Sequence, residues 1–190
     1  MSETLKVLVQ AFIGESQARN RYTFYSSIAK KEGYVQISEI FATTAQQEKE
    51  HASWELKLIQ NLKGDLNDLS VNAAAPLILG DTKINLASAI EGELYETNTM
   101  YPDFAKIARE EGYEDIAKRF EAIAVAEQHH ADRYSKLLKV LEDGTVFKKN
   151  IDTVWVCAEC GYVHKGKEAP ELCPSCSHPQ AYYYVMNEVY

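Results

Sequence analysis

The chain has 190 residues and a mass of 21.5 kDa, with 46% hydrophobic and 25% charged residues. This composition supports a buried core of ordinary size and argues against a disordered chain. The net charge of −8 argues against nucleic acid or an anionic membrane as the main partner, since both bind basic surfaces. The sequence has neither an apolar stretch of about 18 residues nor the pattern of a signal peptide. We therefore expect a cytoplasmic protein.

Helical periodicity dominates the chain from its start as far as Asp143. It predicts helices near 3–31, 35–63, 82–111 and 113–142. Short breaks at Gly33 and Gly112 make the first pair of helices antiparallel, and likewise the second pair. The 63–81 segment, rich in Gly, Asp, Asn and Pro, predicts one long crossover between the two pairs.

An internal repeat supports this division. The segment 28–34 recurs in similar form at 107–113, and the same shift along the chain relates His51 to His130. Each half is one helical hairpin that cannot cover its apolar face alone. The sequence therefore predicts an all-α four-helix bundle over residues 1–145.

Charged side chains interrupt the apolar stripes of all four predicted helices. These are Glu15 in the first helix, Glu48 and His51 in the second, Glu93 and Glu96 in the third, and Glu127 and His130 in the fourth. Unpaired buried charges are costly, so something positive should lie among these groups. Two Glu-x-x-His pairs with further Glu residues match the di-metal site of such bundles, and oxygen and nitrogen ligands suit iron or manganese.

Other polar residues have plainer interpretations. Glu55 lies on the same stripe, one turn beyond His51, and is interpreted as structural. Glu32 and Glu111 fit a solvated face, and His129 lies off the stripe and should be exposed.

The repeat is imperfect in the third helix. The step from Glu93 to Glu127 is one residue longer than the step from Glu15 to Glu48, and Pro102 follows in what should be a helix interior. A proline there removes a hydrogen bond and clashes with the preceding turn. These features predict a π-bulge or a kink near residues 96–102.

All four cysteines lie near the C-terminus. They form two Cys-x-x-Cys pairs, Cys157 with Cys160 and Cys173 with Cys176, with 12 residues between the pairs. In a reducing compartment this spacing predicts a tetrathiolate metal site, which can hold iron or zinc. The surrounding residues 152–190 predict a small strand-and-loop module that needs a metal for stability.

Several segments together resemble the rubrerythrin family, a ferritin-like di-iron bundle fused to a rubredoxin-like domain. The segments are Gly14 to Tyr22, Glu48 to His51, Glu93 to Glu96, Met100 to Pro102, Ala124 to His130, Cys157 to His164 and Ala169 to Pro174. The likeness covers essentially the whole chain. It implies two iron ions in the bundle and one iron at the four cysteines, with zinc as the alternative there.

The resemblance implies a role for each ligand residue. Glu48 and Glu127 would bridge the irons, Glu15 would bind one iron, and Glu93 with His130 would bind the other. Glu96 and His51 would exchange as ligands of the first iron when the pair changes oxidation state. Tyr22 and Tyr101 would donate hydrogen bonds near the site.

The resemblance also implies an activity and partners. The diferrous centre would reduce hydrogen peroxide to water, with electrons from NAD(P)H delivered by a reductase or a rubredoxin through the four-cysteine iron. The family forms dimers or larger assemblies, so we expect at least a homodimer. Two alternatives remain: a ferritin-like ferroxidase that handles iron, and a protein whose sites are structural, with zinc at the cysteines.

Overall fold

A computed structural model describes residues 2–187; Met1 and residues 188–190, the outer ends of the two expected domains, lie outside the described residues. The helices of the bundle are α1 (Glu3–Lys31), α2 (Val35–Leu62), α3 (Thr82–Tyr95), α4 (Tyr101–Glu110) and α5 (Glu114–Glu142). A π-helical segment, Glu96–Met100, joins α3 to α4, so the two form one interrupted helix. The predicted all-α bundle is confirmed. Across residues 2–187, no helix is both long and apolar enough to cross a membrane.

The two hairpin turns have the same backbone geometry. Gly33 and Gly112 have φ angles of +85° and +84°, a region that favours glycine. After each glycine a tyrosine N–H donates to a helix carbonyl, Tyr34 to Ala29 and Tyr113 to Ala108, both at 2.8 Å. Such bonds satisfy the last carbonyls of α1 and α4. The repeat in the sequence is therefore a repeat of structure.

Two apolar clusters fill the bundle, one on each side of the charged residues. Along α1, buried Ala11 belongs to the first cluster and buried Ala18 to the second, with Glu15 between them. Along α5, Ile123 and Tyr134 lie on either side of Glu127 in the same way. The charged residues therefore form a polar layer at mid-bundle, closed above and below by packed side chains.

The predicted distortion of the third helix is confirmed as a π-helical segment. Tyr101 N–H donates to the carbonyl of Glu96, five residues back, and Pro102 follows as the second residue of α4. One extra residue in this turn changes the angular spacing along the helix. It lets Glu93, Glu96 and Tyr101 all face the bundle interior, where all three are buried.

Two glutamates at repeat positions join the hairpins to each other. The carboxylate of Glu111 accepts hydrogen bonds from Glu3 N–H, Thr4 N–H and the Thr4 hydroxyl at 2.7–2.9 Å, at the start of α1. Glu32 accepts one from Thr82 N–H at 2.9 Å, at the start of α3. Both are exposed, as expected, but each caps the first helix of the other hairpin, where a negative charge is favourable.

A small sheet module follows the bundle. Its strands are β1 (Lys148–Cys157), β2 (Val163–Glu168) and β3 (Tyr183–Val185), in the antiparallel order β2-β1-β3. Trp155 is fully buried in it and donates its indole N–H to the Gly166 carbonyl at 2.9 Å. The rings of Phe147 and Tyr34 stack at 6.3 Å between centroids, where the module meets the α1–α2 turn.

The Glu111 cap predicts a defined pH dependence of stability. Its hydrogen bonds lower the pKa of Glu111 to about 2 from the usual 4.5. The native state then binds fewer protons than the unfolded state between these values, so the stabilisation is complete above about pH 4.5 and is lost as the pH falls towards 2. Glu111→Gln should destabilise the protein at neutral pH, and its difference from wild type in urea denaturation should shrink across that window.

The exposed neighbour Glu110, whose carboxylate lies 4.0 Å from Lys106, supplies the control. Glu110→Gln should have a much smaller effect at neutral pH. Equal effects of the two substitutions would show that the cap contributes nothing specific.

Candidate metal centres

Four helices bring six of the seven predicted ligands of the bundle together in the polar layer. They are Glu15 from α1, Glu48 and His51 from α2, Glu93 from α3, and Glu127 and His130 from α5. Each lies on the stripe that its helix turns towards the core, and residues three apart share a helix face. All are buried except His51, whose side chain is 17% exposed.

The first group of donor atoms comes from Glu15, Glu48, His51 and Glu127, and these atoms all lie within 4.8 Å of one another. His51 Nδ1 is 2.9 Å from Glu127 Oε1, 3.1 Å from Glu48 Oε2 and 3.6 Å from Glu15 Oε2. Three carboxylates and one imidazole therefore surround one point.

The second group repeats this arrangement with Glu93 and His130 beside the same Glu48 and Glu127. His130 Nδ1 is 2.7 Å from Glu127 Oε2, 3.2 Å from Glu48 Oε1 and 3.4 Å from Glu93 Oε2. Glu48 and Glu127 each direct one oxygen at His51 and the other at His130. This is the arrangement in which two carboxylates bridge two adjacent metal ions.

The hydrogen bonding of the donor atoms is independent evidence that they fit a pair of cations. Eight of its atoms are buried and form no hydrogen bond within the described residues: Glu15 Oε2, both oxygens of Glu48 and of Glu127, Glu93 Oε2, and Nδ1 of His51 and His130. Buried polar atoms without partners are rare in folded proteins because each is costly. Metal–ligand bonds would satisfy all eight.

The electrostatics of the site agree with that fit. Burial, followed by the charge of Glu127, raises the pKa of Glu15 well above its usual value, and burial raises the pKa of Glu93 to about 8. Although burial opposes it, contacts with Glu127, Glu48 and Glu93 raise the pKa of His130 to about 12. Without metal the site therefore holds protons, and a cation that binds must displace them.

Glu96 is the predicted ligand that lies outside both donor groups. Its side chain is buried and lines a pocket of about 240 Å³, together with Gly14, Gln17, Arg21 and Tyr95. A Cβ atom at Gly14 would lie 4.0 Å from Glu96 Oε1, so the lack of a side chain at Gly14 leaves space between this carboxylate and the backbone of α1. His51 rather than Glu96 completes the first group, and the exchange between them stays a prediction.

The two predicted tyrosines do contact the ligands. Tyr22 donates its hydroxyl proton to Glu93 Oε1 at 2.5 Å, and the Tyr101 hydroxyl hydrogen-bonds Glu15 Oε1. Both are fully buried, and the internal repeat relates one to the other. Hydrogen bonds of this kind hold a metal-binding carboxylate in a fixed orientation.

Sequence reasoning missed Glu55 as part of this site. It is fully buried, and Glu55 Oε1 lies 3.0 Å from the Tyr101 hydroxyl. The sequence feature that could have identified it is its position on the inward stripe of α2, one turn after His51. Exposed His129, in contrast, lies off the stripe as expected.

The four cysteines converge as their spacing predicts. All are free thiols, with Sγ atoms 3.7 Å apart between Cys157 and Cys176 and 3.6 Å apart between Cys160 and Cys173. A tetrahedral ion with metal–sulfur bonds of about 2.3 Å would separate its sulfurs by about 3.8 Å. The thiols are therefore already placed for such an ion. Cys160 is exposed, whereas Cys157 and Cys173 are buried.

Comparison with known proteins gives matches over both parts of the chain. The Rubrerythrin family model matches residues 6–138, and the model described as "Rubrerythrin, rubredoxin-like domain" matches residues 155–184. Rubrerythrin of Nitratidesulfovibrio vulgaris is 51% identical over 96% of this chain and 93% of its own. Rubrerythrin-1 of Clostridium acetobutylicum is 48% identical over 100% and 97%. A solved structure of fully reduced, all-ferrous nigerythrin is 32% identical, with a TM-score of 0.66 over 98% of this chain and 88% of that one.

The donor groups predict that metal ions stabilise the bundle. Ferrous iron added without oxygen to metal-free protein should bind as two ions in the bundle and raise the denaturation temperature. This increase should be smaller at acid pH, because protons compete with the ions for the same ligand atoms. Glu127→Ala removes one oxygen from each group and should abolish most of this gain. Glu91→Ala, at an exposed position of α3, is the matched control and should behave like wild type. Equal stabilisation of both variants would exclude Glu127 as a shared ligand.

Proposed function

Because the chain belongs to the rubrerythrin family, we propose that it reduces hydrogen peroxide to water at a di-iron centre in its bundle. The observation that carries this proposal is the pair of donor groups that share Glu48 and Glu127. These two residues would hold both ions of the pair in one site, where a single peroxide molecule could react with the pair.

In the proposed assignment Glu15 and His51 bind one iron, and Glu93 and His130 bind the other. Glu96 exchanges with His51 as the oxidation state of the pair changes, which the room beside Gly14 supports. Two ferrous ions held here would supply the two electrons that peroxide reduction needs, together with Lewis acidity.

The protein's own residues control the surroundings of this chemistry. Packed clusters above and below the polar layer exclude bulk water, which strengthens every charge interaction inside it. Tyr22 and Tyr101 hold Glu93 and Glu15 in place. The pocket that Glu96 lines is the proposed entry for a small polar oxidant, because Glu96 belongs to the polar layer.

The four-cysteine site is proposed to bind iron and to pass electrons to the bundle. An exposed Cys160 lets an electron donor approach the metal closely. The donor would be a rubredoxin or an NAD(P)H-dependent reductase, and the protein would act as a homodimer or larger assembly in the cytoplasm. A ferroxidase bundle could share the di-iron ligands, but it has no need of an attached electron-transfer domain, which favours the peroxidase.

The direct test is a reaction with peroxide under anoxic conditions. Fully reduced protein should regain the visible absorption of its four-cysteine iron on addition of hydrogen peroxide, at about one peroxide per two electrons. His51→Ala should keep two bundle irons but react at least about tenfold more slowly. Removing a residue that only hydrogen-bonds a metal ligand already lowers activity by about that factor.

His129→Ala, at the exposed histidine beside His130, is the control and should react like wild type. Unchanged turnover in His51→Ala would remove His51 from the proposed exchange. If oxygen but not peroxide oxidises the reduced wild type, the result would favour the ferroxidase. A colourless protein would indicate zinc at the cysteines.

A further inference from the structure

The pocket of about 240 Å³ that Glu96 lines adjoins the polar layer. Gly14 and Arg21 of α1 line one wall, Gly92 and Glu96 of the third helix line another, and residues 72–74 of the crossover form a roof. Gly14 and Gly92 each directly precede a predicted metal ligand in the chain, and Glu96 is itself one. A molecule in the pocket would therefore lie beside the proposed metal pair.

Neither helix geometry nor close packing requires the two glycines of this pocket. Both lie within helices, where glycine is less stable than alanine, and neither has a positive φ angle. Outside its own stretch of helix, a Cβ atom at Gly92 would have no neighbour within 4 Å. One at Gly14 would approach only Glu96, at 4.0 Å. A methyl group would fit at either position, so what the glycines provide is open space in the pocket.

The carboxylate of Glu96 is a second indication that the pocket holds a ligand. Glu96 is only 8% exposed, and its side chain forms no hydrogen bond or ion pair in the part of the chain that the structure describes. A buried polar group without partners is costly. While His51 completes the first donor group, this carboxylate is left facing the pocket, where a polar group of a ligand would satisfy it.

The rest of the lining and the size of the pocket define the ligand. Ala73, Ala74, Met100 and Phe104 provide apolar surface, and Arg21 adds N–H donors. A cavity of about 150 Å³ is large enough for benzene, whereas a water molecule occupies about 30 Å³ in the liquid. The pocket is therefore several times larger than hydrogen peroxide requires, and it suits a small molecule with one polar end and one apolar end.

We propose that the bundle also reduces short-chain organic hydroperoxides, which bind in this pocket. The alkyl group would lie against Met100 and Phe104, and the hydroperoxide group beside Glu96. The proposal rests on the proposed function, since it uses the same metal pair. In the reaction, ROOH, two electrons and two protons give ROH and water. The O–O bond breaks, the reduced metal pair supplies both electrons, and water supplies both protons.

The probe for this proposal is tert-butyl hydroperoxide, which has as many non-hydrogen atoms as benzene. Under anoxic conditions it should oxidise the fully reduced, iron-loaded protein and form one tert-butyl alcohol for each hydroperoxide consumed. Gly92→Leu places a side chain in the open space. It should lower kcat/KM for this hydroperoxide at least about tenfold more than kcat/KM for hydrogen peroxide, because the loss of space for one methylene already changes discrimination by that factor.

Ala87→Leu is the matched control, because it adds the same side chain at an exposed position of α3 outside the pocket. It should leave both kcat/KM values unchanged. If Gly92→Leu did not fold, Ala74→Trp in the exposed crossover would decide by the same ratio, since it fills the pocket from the roof.

Binding can be measured without turnover. The product tert-butyl alcohol does not react, and X-ray diffraction from soaked crystals of the iron-loaded wild type should show it in the pocket, near Gly14 and Gly92. Crystals of Gly92→Leu should show the leucine side chain in its place. Alcohol found only elsewhere on the protein would be an adventitious additive only and would contradict the proposed binding site.

Two results would overturn the organic substrate while leaving the peroxidase intact. One is a reduced wild type that hydrogen peroxide oxidises but tert-butyl hydroperoxide does not. The other is an unchanged ratio of the two kcat/KM values in the folded pocket variant. A reduced wild type that hydrogen peroxide does not oxidise would instead refute the proposed function itself.

Discussion

The rest of this structure depends on the cost of burying charge. Six carboxyl groups and two imidazoles occupy one layer of a four-helix bundle, between two apolar clusters that exclude water. Without cations the site can relieve this cost by holding protons, and burial raises the pKa of Glu15 and of Glu93 in that direction. Two metal ions would relieve it better, because they would satisfy at once the eight buried atoms of the two donor groups that form no hydrogen bond within the described residues.

A duplicated hairpin gives the site its symmetry, and local departures from the repeat make its two halves different. The repeat places a Glu-x-x-His pair on α2 and again on α5, and Glu48 and Glu127 each contact both histidines. One inserted residue converts a turn of the third helix to π geometry and turns Glu96 inward. The repeat relates Glu55 to Tyr134, so a buried carboxyl group lies one turn beyond His51 and a buried phenol lies one turn beyond His130.

Much of this was predictable because helical spacing fixes which residues face inward. The stripes predicted the convergence of the ligands, and the unequal spacing of the ligands in the two halves predicted the π segment. Contacts between distant elements were not predictable in this way. Glu111 caps α1 from the other hairpin, and Glu55 meets Tyr101 across the bundle, because helix packing rather than local pattern sets such pairs. Spacing likewise could not show that Glu96 rests outside the donor groups.

The central claim is that two cations bridged by Glu48 and Glu127 balance the buried charge. X-ray diffraction from crystals grown with iron, recorded above and below the iron absorption edge, tests it most directly. The account predicts two anomalous iron peaks in the polar layer, each beside one of His51 and His130, and a third peak within the four cysteine sulfurs. Absence of iron from the layer in fully loaded crystals, or a single ion bound away from both bridging carboxylates, would contradict it.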